Sequence, residues 1–181
     1  NKQRTAVYTQ RRLLLGGEGI ERTVLDFLGE VTSKILDSYA HSEVKLKDWD
    51  LEGMNTALRQ QFGLTIQFPE VVNLTGDQIT DLVSRAVKEV FDRQKTSLGP
   101  YFEQISKMIL LQTIDQKWKE HLQQIDHLKE GINLRAYAQK DPLVEYKKEA
   151  FRAFEEMNHI VQSETIEKLL KYVGFAVSFA A

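Results

Sequence analysis

The 181-residue sequence contains no cysteine, which excludes a disulfide framework, thiol nucleophiles and thiolate metal sites and suits a reducing compartment. It has only three prolines, so most of the chain is free to run as uninterrupted helix. Excess charge of either sign is missing too: 24 Lys and Arg against 26 Asp and Glu leave a formal net charge of −2. Phosphate binding needs a clear cationic excess, so nucleic acid is not expected as the main partner. No apolar run approaches the length needed to cross a bilayer, and no signal-peptide pattern opens the sequence as given.

Catalytic patterns are also scarce. No glycine is followed by lysine, so the phosphate-cradling P-loop is absent. Gly17-Glu18-Gly19 is followed by Arg22 where a dinucleotide loop needs a third glycine, and it reads as an ordinary helix break. Gly-x-Ser-x-Gly does not occur. His121 and His127 lie six residues apart, which puts them on different faces of a helix, so they read as polar residues flanking a seam and not as metal ligands. No catalytic, cofactor-binding or metal site is expected in this chain.

What is present is helical periodicity. Thr5–Leu15 reads as a helix that Gly16 to Gly19 interrupt, and Ile20, Val24, Phe27, Leu28, Val31, Ile35 and Tyr39 form one apolar face of a second. Leu51–Phe62 reads as a short helix stopped by Gly63, a residue suited to a left-handed C′ position. Leu64–Phe68 alternates like a brief strand or is simple loop. Thr75 and Gln78 form a capping box for a helix with Ile79, Leu82, Val83, Ala86, Val87, Val90 and Phe91 on one stripe. From Tyr101 to Glu130 no glycine or proline occurs, and Met108, Leu111, Ile114, Trp118, Leu122, Ile125, Leu128 and Ile132 recur at three- and four-residue steps. Gly131 lets that helix end. Asp141 as N-cap and Pro142 at the first helical position start a returning helix, with Leu143, Ala150, Phe151, Phe154, Met157 and Val161 as its inner face.

The expectation is a mainly α fold, with long scaffold helices, a small helical wing and an antiparallel two-helix finger. Its parts are residues 1–41 (scaffold, first part), 42–98 (wing), 99–172 (scaffold, second part, with the finger) and 173–181 (an apolar tail). The sequence opens at Asn1 inside a helix-like stretch and is expected to be a piece of a longer polypeptide. Trp118, midway along the apolar stripe, is expected to anchor the seam between the finger and the first scaffold helix. At the finger tip, Leu134, Arg135, Tyr137, Gln139 and Lys140 stand where glycine, asparagine or serine would satisfy the turn. The residues alone leave two readings open, a contact surface or a small local core folded back on the hairpin.

The stretch Leu111-Gln112-Thr113-Ile114-Asp115-Gln116-Lys117-Trp118-Lys119-Glu120-His121-Leu122 is followed by Leu134-Arg135-Ala136-Tyr137-Ala138-Gln139-Lys140-Asp141-Pro142 and Glu145-Tyr146-Lys147. Together these closely resemble the C-terminal part of the SecA family of preprotein translocase motors. The opening Gln3-Arg4-Thr5-Ala6-Val7-Tyr8-Thr9-Gln10-Arg11 is similar to the start of that family's helical scaffold. The resemblance implies a protein-translocation module whose scaffold couples motor domains, absent here, to a finger. It implies that the tip, through Tyr137, touches unfolded preproteins at the cytoplasmic mouth of the SecYEG channel, and that the hairpin restrains the family's ATPase. ATP and Mg²⁺ then belong to the nucleotide-binding domains of the intact parent. The chain itself is expected to hydrolyse nothing, and to lie in the cytoplasm, peripheral to the inner face of the bacterial plasma membrane through the channel. The alternative is a helical protein-interaction adaptor without a transport role. Two departures stand out: Ala136 replaces a glycine common before the tip tyrosine, and Tyr172–Ala181 lacks the cysteines of the family's zinc-binding tail. No metal or SecB-type chaperone contact is therefore implied.

Overall fold

A computed structural model describes residues 1–41, 43–68, 74–135 and 141–173. The described residues form six α-helices and two short 3₁₀ turns, with no strand. The helices are α1 (Lys2–Leu15), α2 (Ile20–Tyr39), α3 (Leu51–Phe62), α4 (Gly76–Leu98), α5 (Phe102–Arg135) and α6 (Pro142–Lys171). The mainly α expectation is met.

Several helix ends follow from chemistry written locally. Gly63 sits at φ 67°, the left-handed conformation that closes α3. The Thr75 hydroxyl accepts from the Gln78 amide while the Gln78 side chain accepts from the Thr75 amide, the reciprocal box that starts α4. Asp141 accepts from the Leu143 amide at 3.0 Å, and Pro142 opens α6.

Residues 64–68 are loop, not strand, and a side chain supplies the pairing that a neighbouring strand would have given. The Asn55 amide donates to the Ile66 carbonyl at 2.9 Å and accepts from the Ile66 N–H at 3.0 Å. Ile66 is buried, so Asn55→Ala leaves two backbone groups without partners. The expected cost is about 1–3 kcal/mol, read as a lower urea midpoint. An unchanged midpoint would show that water satisfies Ile66.

One continuous core runs through all six helices. It joins Val7 and Leu14 of α1 to Val24 and Val31 of α2, Met54 and Leu58 of α3, Val83 and Phe91 of α4, Leu110 of α5 and Ile166 of α6. Residues 51–62 and 76–98 thus share a core with the long helices. Phe91 meets Phe102 edge-on at 5.8 Å. Gln94 donates to the carbonyls of Leu169 and Tyr172, both at 2.8 Å, and satisfies the end of α6.

α5 and α6 form the finger. The core cluster stops at Trp118 on α5 and Met157 on α6; farther out, Ile125, Ile132, Ala150 and Ala153 are buried outside it. The stretch from Trp118 to Arg135 is a projection of roughly 25 Å at 1.5 Å per residue.

Two expectations about the finger are corrected. α5 does not end at Gly131 but continues to Arg135. Glycine inside a helix costs about 0.5–1 kcal/mol, whereas burying Ile132 contributes roughly 1.5–3 kcal/mol, so the helix propagates. Leu143 and Phe151 do not belong to the inner face of α6: each is 58% exposed. The buried stripe is Ala150, Ala153, Met157 and Val161, and a residue next to Ala150 is turned about 100° away from it.

Candidate functional site

The root of the finger is where α1 lies along it. The two helices run antiparallel, as three contacts show. Lys107 reaches the Leu15 carbonyl at 2.7 Å, Arg11 grips Asp115 with two hydrogen bonds of 2.8 and 3.1 Å, and Gln3 meets His121 at 2.8 Å. Asp115 raises the Arg11 guanidinium further above its ordinary value, first by hydrogen bonding.

Trp118 is buried beside this seam, with its ring 5.5 Å from that of His121, which lies 5.7 Å from Phe154 of α6. The Trp118 indole N–H and His121 Nδ1 are both buried without a hydrogen-bond partner among the described residues. A groove of about 600 Å³ between Trp118 and α1 is lined by Tyr8, Arg11, Leu15 and Asp115. At the N-terminal end of α1, about 540 Å³ opens against Lys2, Arg4, Lys129, Tyr146, Lys147 and Phe151.

His121 is buried, and that burial pushes its imidazole below the ordinary value. Lys117, Glu120 and Glu156 share an adjoining cavity of about 130 Å³. The unfolded chain takes up its proton near pH 6.5, while the folded chain resists it, so this stability is complete above that pH and lost as pH falls through it. His159 moves the same way, through burial and then the charge of Lys34. The melting temperature is therefore expected to fall between pH 7.5 and 5.5, and less steeply in His121→Leu. An equally steep fall in the variant would show that His121 contributes nothing to it.

Farther down the finger root the helices are tied by charge. Lys117 of α5 pairs with Glu164 of α6 at 3.0 Å and with Glu120 at 3.1 Å, and both carboxylates hold its ammonium above the ordinary value, Glu164 more strongly. Lys117 in turn lowers the Glu120 carboxyl. His127, by contrast, is exposed and only 3.9 Å from exposed Glu130. No group of three or more His, Cys, Asp or Glu among the described residues is placed to hold a metal ion.

Of the five tip residues singled out in the sequence, Leu134 stands 77% exposed near the end of α5. Arg135 is the last residue of that helix. Its side chain, and Tyr137, Gln139 and Lys140 altogether, lie outside the described residues. Leu143 and Val144, at the start of α6, are exposed apolar side chains at the same end of the finger. Sequence reading missed these as surface residues, and it missed the Gln3–His121 contact.

The described residues form a mainly α scaffold from which a two-helix finger projects. No helix among the described residues is long and apolar enough to cross a membrane. A family model described as the SecA wing and scaffold domain matches residues 1–173. The protein translocase subunit SecA of Bdellovibrio bacteriovorus is 54% identical over 171 residues, 94% of this chain and 19% of the relative. SecA subunits of Geobacter metallireducens and Geotalea uraniireducens are 40% and 39% identical over 172 residues, 93% of this chain and 19% of each relative. The chain belongs to the SecA wing and scaffold domain family. It spans about a fifth of the length of the curated relatives that it matches.

Proposed function

We propose that this chain is the coupling and contact module of an ATP-driven preprotein translocase. In this reading ATP, with Mg²⁺, is hydrolysed in nucleotide-binding domains outside the chain. The helical scaffold carries their motion to the finger, and the finger tip touches unfolded preprotein at the SecYEG channel. Residues 42–98 are the wing, and Leu134, Arg135, Tyr137, Gln139 and Lys140 form the contact set. The module is peripheral to the cytoplasmic face of the plasma membrane, held there through the channel.

The observation that supports this most is the mechanical form of the finger. Its root is bound into the continuous core by Leu110, Ile114, Trp118, Ile166 and Leu169. Its outer part carries exposed Leu134, Leu143 and Val144. A stiff projection with a fixed base and an apolar end suits the delivery of displacement to a chain of varied sequence. An aromatic ring such as that of Tyr137 packs on many side chains at low entropy cost. The test is preprotein transport into SecYEG vesicles by the full-length motor carrying Tyr137→Ala, measured beside its ATP turnover. Full transport by a stably folded variant would end the reading.

A further inference from the structure

The contact between Gln3 and His121 is polar in a place where packing alone favours apolar residues. His121 is 2% exposed, lies between the rings of Trp118 and Phe154, and leaves its Nδ1 without a partner among the described residues. Gln3 uses both ends of its amide. Its carbonyl oxygen accepts from His121 Nε2–H at 2.8 Å, and its NH₂ donates to the Ala150 carbonyl at 3.2 Å. The tautomer follows from burial, which keeps the ring neutral, and from the NH₂ group being engaged at Ala150. Among the described residues, Gln3 is the one side chain of α1 that hydrogen-bonds to α6, and it touches both finger helices at once.

We propose that Gln3 and His121 form a register pin that locks α1 to both finger helices, so that axial displacement of α1 moves the finger as one body. The inference rests on the coupling role proposed above and names the joint through which coupling passes. Apolar contacts such as those of Val7, Leu14 and Trp118 are non-directional and set the register of α1 less sharply than a hydrogen bond does. The hydrogen bond has one register in which it is made, and a slip leaves the buried His121 N–H without its partner. A single buried polar residue fixes helix register in coiled coils by the same physics, at a cost in stability. The orphaned His121 Nδ1 is that cost made visible. The other polar links between α1 and the finger are weaker guides, because Arg11 and Asp115 are partly in solvent and Lys107 holds only a helix-end carbonyl.

Register pinning and simple stabilisation predict opposite signs, which makes the pin testable. In the full-length motor, the double variant Gln3→Leu/His121→Leu replaces the polar pair by apolar residues of similar size. Gln3→Met removes the hydrogen bonds with a side chain of similar length at a partly buried position, and its melting temperature reads how much stability goes with them. Each is measured for melting temperature, ATP turnover and preprotein transport into SecYEG vesicles, with Tyr137→Ala in parallel. The pin predicts melting at or above that of the parent for the double variant. In both variants, preprotein moved per ATP falls by about threefold or more, the factor to which one or two lost hydrogen bonds correspond. Unchanged transport per ATP in Gln3→Met overturns the pin, and so does a loss that merely follows lowered stability. The two ideas fail separately. Lost coupling in Gln3→Met with full transport by Tyr137→Ala keeps the pin and removes the tip contact, and the reverse pattern keeps the tip and removes the pin.

Discussion

Trp118→Ala is expected to destabilise the chain by about 3 kcal/mol, the lower end of the range for deleting a buried indole. Two features set the magnitude. The ring is 8% exposed and belongs to the continuous core, so its loss opens a cavity at the finger root. Against this, its N–H is buried without a partner and the ring borders two grooves. Removing an unsatisfied donor returns part of the cost, and a site open at its sides relaxes more readily than a sealed one. For a domain of this size the shift in melting temperature is roughly 6–12 °C. Trp118→Phe keeps most of the packing and drops the unpaired donor, so it should melt within a few degrees of the parent. An alanine variant that melts like the parent would show that the indole does not anchor the seam and would free it for contact with a partner.

Where helices stop was legible when the stop is written in adjacent residues. Gly63, the Thr75–Gln78 box and Asp141-Pro142 each satisfy backbone groups within five positions, and all three appear as read. Faces were legible where a helix buries a single stripe, as α2 and α4 do. The stripe of α4 was read correctly through Ile79, Val83, Val87 and Phe91. At the finger root, α5 packs against α1, α2 and α6, so Ile109, Leu110 and Thr113 are buried off the expected stripe. No single periodicity describes a helix surrounded on three sides. On α6, Ala150, Met157 and Val161 were read inward correctly, whereas Leu143 and Phe151 were assigned there by size and stand outside, and Ala153 was missed. Pattern reading rewards bulk, while two helices lying side by side select small residues. Gln3 and His121 are 118 positions apart, and nothing local to either reports the other. The tip set Leu134, Arg135, Tyr137, Gln139 and Lys140 came from the oddity of large residues at a turn together with the family resemblance. Only Leu134 has a described side chain, and it is exposed.

Tyr137→Ala in the full-length motor is expected to lower preprotein transport while leaving folding and basal ATP turnover in place. The residue lies within 136–141, the connection between Arg135 at the end of α5 and Pro142 at the start of α6. The apolar residues on either side, Leu134 and Leu143, are 77% and 58% accessible, whereas Ile132, in the last turn of α5, is buried. A side chain that contributes little to folding leaves melting nearly unchanged when it is truncated. A side chain that grips polypeptide has its effect only during transport. Aromatic packing contributes roughly 0.5–1.5 kcal/mol beyond simple burial. Lost at the step that holds the moving chain, that corresponds to a drop of about two- to tenfold. Phe and Trp should retain more transport than Ser or Asp, because the proposed grip is planar and apolar and does not call on the phenol hydroxyl. ATP turnover that persists while transport drops would locate the failure at the contact and not in the motor. If the ring serves only to close the hairpin, melting and transport fall together in Tyr137→Ala, and Phe rescues both in proportion.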